Sequence, residues 1–186
     1  MPSNRYADIQ QEPFPHLVVE GALSSSDYEQ LLSGWNTAIV VKGIARYAKE
    51  NRTPAQEFPW KHTLAAQLMD AFHISGEPTI GRYMLRRTGY TLPPHIDPPN
   101  FILTILHYLP TEHQRDDIGT VLYHTQTPVY HSSDGAEYFT EACEPVKAVL
   151  FKPNTVLAFL NTPYSAHGIE RFPEDRLAYQ WHVVNA

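Results

Sequence analysis

From residue 79 onward the chain is a succession of short runs rich in β-branched and aromatic residues: 79–87, 101–109, 120–123, 148–152, Thr155–Leu160 and 177–184. Pro, Gly, Asn and Asp separate these runs, and none of the intervals carries the apolar period of a helix. Runs of this length with this composition read as strands. Successive strands without helical crossovers exclude alternating βα units and predict an antiparallel sandwich or barrel. The closest simple architecture is a mainly β jelly roll, a double-stranded β-helix of the cupin-like kind, buttressed on one sheet by helices.

Those helices are expected in the front of the chain. A short strand over His16–Glu20 is followed by three serines, and Ser26 with Glu29 fits a capping box opening a helix over 27–35. A second helix is predicted over 60–72, where Leu64, Leu68 and Phe72 form one apolar stripe. With 186 residues, 42% of them hydrophobic, the chain reads as a single domain able to bury a core. Residues 1–78 would be its helix-containing support and residues 79–186 the jelly-roll core. A net charge of −6 argues against a nucleic-acid partner or an anionic membrane surface and favours a small-molecule partner. Cys143 is the sole cysteine, which rules out an intrachain disulfide and a thiolate metal cluster. The first residues carry no signal-peptide core and no apolar run reaches about 18 residues, so the expectation is a cytoplasmic protein. Oligomeric state is not legible in the sequence.

Any metal site must draw on the ten histidines. His16, His62, His73, His107, His113, His124 and His131 have no partner at an interpretable spacing and read as surface or satisfied core positions. His95 and Asp97 differ, because residues two apart in an extended segment share a face. Pro93, Pro94, Pro98 and Pro99 hold that segment extended, each fixing its own φ and disfavouring helix in the residue before it. His167, just past the run Thr155–Leu160, is the natural third ligand. Two histidines and one carboxylate on one face of an octahedron leave positions open, the arrangement of non-haem Fe(II) oxygenases, whereas zinc more often sits in a closed tetrahedron.

The run DRLAYQWHVV places Arg176, Ala178, Gln180 and His182 on one side and Leu177, Tyr179, Trp181 and Val183 on the other. The bulky side should pack beneath a helix. The other then carries a guanidinium into the barrel, where it needs an anion. That anion is either a bound co-substrate gripped through two parallel hydrogen bonds or a protein carboxylate such as Glu170 or Asp175.

Taken in order, PFPHLVVEGALSSSDYEQLL, RYMLRRTGYTLPPHID, FILTILHYLP, IGTVLY and KPNTVLAFLNTPYSAHGIERFPEDR resemble the 2-oxoglutarate and Fe(II)-dependent dioxygenases, in particular their prolyl-4-hydroxylase-like branch. The order HxD, then His167, then Arg176 is the specific part. The resemblance implies that His95, Asp97 and His167 hold Fe(II). It implies that 2-oxoglutarate chelates the iron and places its far carboxylate on Arg176, and that Tyr83, taken as inward-facing, contacts this co-substrate. It further implies that O2 and 2-oxoglutarate are consumed to give succinate and CO2 as an unactivated C–H is hydroxylated. Related halogenases have a small residue where this chain keeps Asp97, which favours hydroxylation. IGTVLY lacks the second glycine and the acidic residue usual there. Ala178 replaces a serine that helps the basic residue, so Thr104 is expected to assist Arg176 instead.

For the substrate, Arg87 is the first candidate among Arg82, Arg86 and Arg87, because it shares the parity of Tyr83 and Leu85. Gln180 and His182 are further cavity candidates. The segment 124–145 is long, polar and aromatic, as lids and binding loops are, and as solvated hairpins are too. The leading expectation is an oxygenase of a small molecule such as an amino acid or biosynthetic intermediate. A hydroxylase of a peptidyl residue is the second. A cupin-like barrel that binds metal or sugar without oxidative chemistry is the third, and it leaves Arg176 unexplained.

Overall fold

The strand ending the chain organises the fold, because one of its faces is bulky and the other small or polar. In the computed structural model, which describes residues 6, 8–40, 49–110, 115–130, 136–139, 143–170 and 173–185, it pairs on both edges. The elements in chain order are β1 (His16–Glu20), α1 (Ser25–Thr37), β2 (Ile39–Val40), β3 (Lys49–Thr53), α2 (Pro59–Ala71), β4 (Glu77–Pro78), β5 (Arg82–Arg86), β6 (Leu92–Ile96), β7 (Phe101–Tyr108), β8 (Arg115–His124), β9 (Glu137–Tyr138), β10 (Glu144–Phe151), β11 (Thr155–Leu160), β12 (His167–Ile169) and β13 (Arg176–Val184).

Two antiparallel sheets form the jelly roll. The larger runs β1-β11-β7-β13-β5-β3-β2, with β4 also against β13, and the smaller runs β10-β8-β12-β6-β9. The front of the chain thus supplies strands to the larger sheet as well as helices. Tyr179, Trp181 and Val183 of β13 are fully buried in one cluster with Leu103 and Ile105 of β7 and with Leu31, Leu64 and Leu68 of the helices, as the alternation predicted. Truncating a core aromatic such as Trp181 to Ala typically costs about 3–5 kcal/mol. On the opposite face Leu106, Tyr108 and Ala178 form a second buried cluster with Leu122, Val149 and Phe151 of the smaller sheet.

Histidine 107 belongs to the helix side. It is buried, accepts from Trp181 Nε1 at 3.1 Å, and burial pushes its pKa down to about 3, so it is a neutral core residue. His113 and His131 lie outside the described residues.

Local details differ from the sequence expectations at three points. The cap of α1 is Ser24, not Ser26: the backbone at Ser24 is extended and its hydroxyl accepts from the Asp27 amide, which moves the helix start back to Ser25. Helix α2 starts at Pro59, whose missing N–H is no loss in the first turn. The segment 124–145 is partly strand, since it contains β9 and the start of β10.

The parity expected for β5 is reversed. Tyr83 points to the helix side, fully buried, and its hydroxyl donates to the Leu31 carbonyl of α1 at 2.6 Å. Gly34 of α1 faces this hydroxyl, and a Cβ there would collide with it. The residues turned into the barrel are therefore Arg82, Met84 and Arg86.

Candidate metal centre

His95 and His167 face each other because β12 and β6 pair with these two residues directly opposite. Gly168 permits the approach: a Cβ at that position would sit 2.6 Å from the Leu92 carbonyl oxygen. Asp97 follows the end of β6, in a turn held by Asn161, whose Nδ2 lies within hydrogen-bond reach of the carbonyls of Asp97, Pro98 and Phe101 at 2.9–3.1 Å. One ligand atom from each of His95, Asp97 and His167 lies within 4.8 Å of the others.

The orientation of these groups fits a cation. His95 Nδ1 lies 3.0 Å from the Pro93 carbonyl and His167 Nδ1 lies 3.0 Å from the Ser165 carbonyl, so each Nδ1–H donates to backbone and each Nε2 keeps its lone pair. Those Nε2 atoms stand 3.8 Å and 3.7 Å from Asp97 oxygens. Burial and the neighbouring His167 push the His95 pKa down to about 4. Burial alone would raise the Asp97 pKa, but the imidazoles of His167, His95 and His182 and a 2.6 Å hydrogen bond from Thr104 outweigh it and hold the carboxyl below its usual range. Two imidazole Nε2 atoms and one ionised carboxylate converge on one point, the donor set of a 2-His-1-carboxylate site.

These ligands open onto a cavity of about 1210 Å³. Arg176 lies across it, 1% exposed, on the face of β13 that the alternation assigned to the barrel. Its Nη2 donates to Thr120 Oγ1 at 3.1 Å, Tyr108 donates to the same oxygen at 2.8 Å, and the rings of Tyr108 and Phe151 lie 5.1 Å and 5.2 Å from the guanidinium carbon. Its Nε has no hydrogen-bond partner, and among the described residues no carboxylate pairs with it. Asp175, one expected partner, pairs with Arg87 at 2.6 Å instead.

The remaining candidates separate into three groups. Gln180 and His182 line the cavity, with His182 stacked on Phe101 at 3.7 Å and its pKa pushed down to about 4 by burial. Thr104 is in the site but serves Asp97, because it faces the metal end of β7 while Thr120 on β8 reaches Arg176. Tyr83 and Arg87 leave it. The first faces α1, and the second is half-exposed and engaged with Asp175. Both follow from the reversed parity of β5.

The sequence reading missed Tyr108, Thr120, Asn161 and Tyr138, and it placed Arg86 behind Arg87. Tyr108 shares the parity of Thr104 along β7, a signal that was present in the sequence. Arg86 was not separable from its neighbours until its pairing with Arg176 was known. Tyr138 reaches the site from the 124–145 segment: β9 pairs Tyr138 with His95, and the two rings lie 5.6 Å apart.

No family model matches this sequence, and no curated protein sequence does either. The fold has close counterparts among solved structures. HygX from Streptomyces hygroscopicus, with nickel, 2-oxoglutarate and hygromycin B bound, is 14% identical with a TM-score of 0.63 over 92% of this chain and 83% of that one. The epimerase SnoN, in complex with Fe3+, alpha-ketoglutarate and nogalamycin RO, is 14% identical with a TM-score of 0.66 over 92% and 79%. A Pseudomonas putida prolyl-4-hydroxylase is 13% identical with a TM-score of 0.62 over 92% of both chains. This chain therefore has the jelly-roll fold that these three proteins share.

Proposed function

We propose that this protein is a 2-oxoglutarate-dependent non-haem Fe(II) oxygenase that hydroxylates an unactivated C–H of a small molecule and releases succinate and CO2. One observation carries the reading: a buried 2-His-1-carboxylate cluster and a buried arginine without a carboxylate partner face the same cavity. A cupin-like barrel that only binds metal or sugar gives Arg176 no task.

His95, Asp97 and His167 would hold the iron, and with O2 and a chelated 2-oxo acid such a centre supplies a strong C–H oxidant. The chain's own residues bind, orient and exclude water. Arg176 and Thr120 receive the far carboxylate of 2-oxoglutarate, with Tyr108 orienting the Thr120 hydroxyl. The backbone carbonyls of Pro93 and Ser165 keep both imidazoles in the metal-binding tautomer, and the Thr104 hydroxyl donates to Asp97, which favours its ionised form and orients it. Phe159, whose ring centroid lies 4.5 Å from that of His167, keeps water from one side of the centre. A small-molecule substrate suits the concave site, and HygX and SnoN bind such ligands on the same fold. The fold of prolyl-4-hydroxylase keeps a peptidyl residue as the second reading.

Anaerobic addition of Fe(II) and 2-oxoglutarate should produce the weak visible charge-transfer band of the chelate. Arg176→Gln should weaken 2-oxoglutarate binding by about 30-fold or more, as expected for unpairing a buried charge-assisted contact of about 2–5 kcal/mol. Wild-type protein with neither the band nor succinate formation would overturn the reading.

A further inference from the structure

The cavity contains a second guanidinium for which the proposed co-substrate has no use. Arg86 is 4% exposed and stands directly opposite Arg176 in the β13–β5 register, so both side chains enter the cavity from adjacent strands. Their heads diverge. Arg176 reaches Thr120 on β8 in the smaller sheet, whereas Arg86 leans the other way: its Nη1 donates to Asn51 Oδ1 on β3 at 3.2 Å and its Nη2 lies 3.1 Å from Met84 Sδ. The Tyr90 ring centroid lies 5.2 Å from its guanidinium carbon.

These partners leave the charge unmet. A thioether is a weak acceptor, the Asn51 amide oxygen carries no charge, Tyr90 adds a side-chain hydrogen bond, the Arg86 Nε has no hydrogen-bond partner, and no carboxylate pairs with Arg86 among the described residues. Burial pushes its pKa down to about 10, with Tyr90 opposing that and Arg176 adding to it, so it remains a cation at neutral pH. A desolvated cation beside a second cation is stabilised by an anion of its own. A single dicarboxylate does not supply two, because its keto-acid end belongs at the metal and its far carboxylate meets Arg176.

We infer that Arg86, with Asn51 beside it, is the docking site for a carboxylate of the substrate. This rests on the proposed function, and it narrows the substrate to a small organic acid, an amino acid among them. One planar guanidinium edge matches the two oxygens of a carboxylate. Asn51 accepts through Oδ1, which leaves its Nδ2 as a further donor at the cavity wall. An internal peptidyl residue has no main-chain carboxylate to place there, so the inference also separates the two functional readings. The neighbouring arginines do not serve. Arg87 is bound to Asp175 on the surface, and Arg82 is solvated at the cavity rim.

The test uses full-length protein loaded with zinc(II) and saturating 2-oxoglutarate, and 3,3,3-trifluoropropionate as a minimal carboxylate probe read by ¹⁹F line broadening. Wild type should broaden the acid and leave 3,3,3-trifluoropropionamide sharp, a comparison that needs no substitution. Arg86→Gln should lose the broadening, Arg86→Lys should retain it, and Arg86→Gln should keep 2-oxoglutarate affinity within twofold of wild type while Arg176→Gln does not. No broadening in wild type, unchanged broadening in Arg86→Gln, or an Arg86→Gln loss of 2-oxoglutarate affinity matching that of Arg176→Gln would each overturn the inference. Should wild type fail to bind 2-oxoglutarate, the oxygenase reading falls, and the probe on Arg176→Gln without keto acid still reports Arg86.

Discussion

The two walls of the cavity treat their polar groups in opposite ways. At the metal wall each imidazole Nδ1 lies beside a backbone carbonyl, Asp97 accepts from Thr104, and only the metal-facing atoms lack a permanent partner. At the arginine wall, two buried guanidiniums each keep an unpartnered Nε and no carboxylate among the described residues pairs with either. The difference separates the ligands each wall suits: the first is arranged to hold a cation, the second to receive anions. Charge follows the same division, since the metal wall holds an ionised carboxylate and the arginine wall holds two guanidiniums.

Removing the carboxylate from the metal wall is the strongest way to break this contrast. Loss of even an outer-shell partner typically costs about 10–100-fold in metal affinity, so Asp97→Ala, which removes a ligand, should lose about 100-fold or more. Anaerobic calorimetry with zinc(II) measures it, and near-normal affinity would show that the three residues are not a metal site. Thr104→Val removes only the 2.6 Å hydrogen bond to Asp97, and should weaken metal binding by about 10–100-fold. Because that bond favours the ionised carboxylate, its loss raises the Asp97 pKa, and the pH midpoint for metal loading should move upward. A midpoint that stays put would assign Thr104 a packing role.

A smaller effect is expected on the helix side of the same sheet. His107 is held neutral, with its folded pKa near 3 and below its unfolded value, so the unfolded chain binds the extra proton. Its contribution is complete above about pH 6.5 and is lost as pH falls toward the folded value, at up to about 1.4 kcal/mol per pH unit. Urea unfolding between pH 7 and 5 should show a shallower acid loss in His107→Gln, which can still accept from Trp181; equal slopes would count against a neutral His107. The least change belongs to Arg87→Ala. Its pair with Asp175 is about half exposed on both sides and should contribute no more than about 1 kcal/mol. Any marked fall in 2-oxoglutarate affinity in that variant would return Arg87 to the site.

Adjacent strands show how far the sequence could be read. On β13 the alternation of bulky and small residues is unambiguous, and Arg176, Gln180 and His182 stand on the cavity side that it assigned. On β5, Arg82, Arg86 and Arg87 fall on both parities around Tyr83, Met84 and Leu85, so side-chain size does not separate the faces. A one-residue error there exchanged Arg86 for Arg87 and turned Tyr83 inward. Register supplies the missing information, because Arg86 pairs with Arg176. The cap of α1 failed for a related reason: three consecutive serines offer the same hydroxyl, and the backbone chooses among them.

By itself the sequence determined the mainly antiparallel β class, the positions of the two helices, and the His95, Asp97, His167 and Arg176 series. These are properties of composition and period along a chain, which local sterics and burial dictate. The tertiary structure alone decided which hydroxyl serves which charged group, that β9 carries Tyr138 to the metal wall, and that a second arginine shares the cavity. Each of these depends on register between strands distant in sequence, where a shift of one residue moves a side chain to the other face of the sheet.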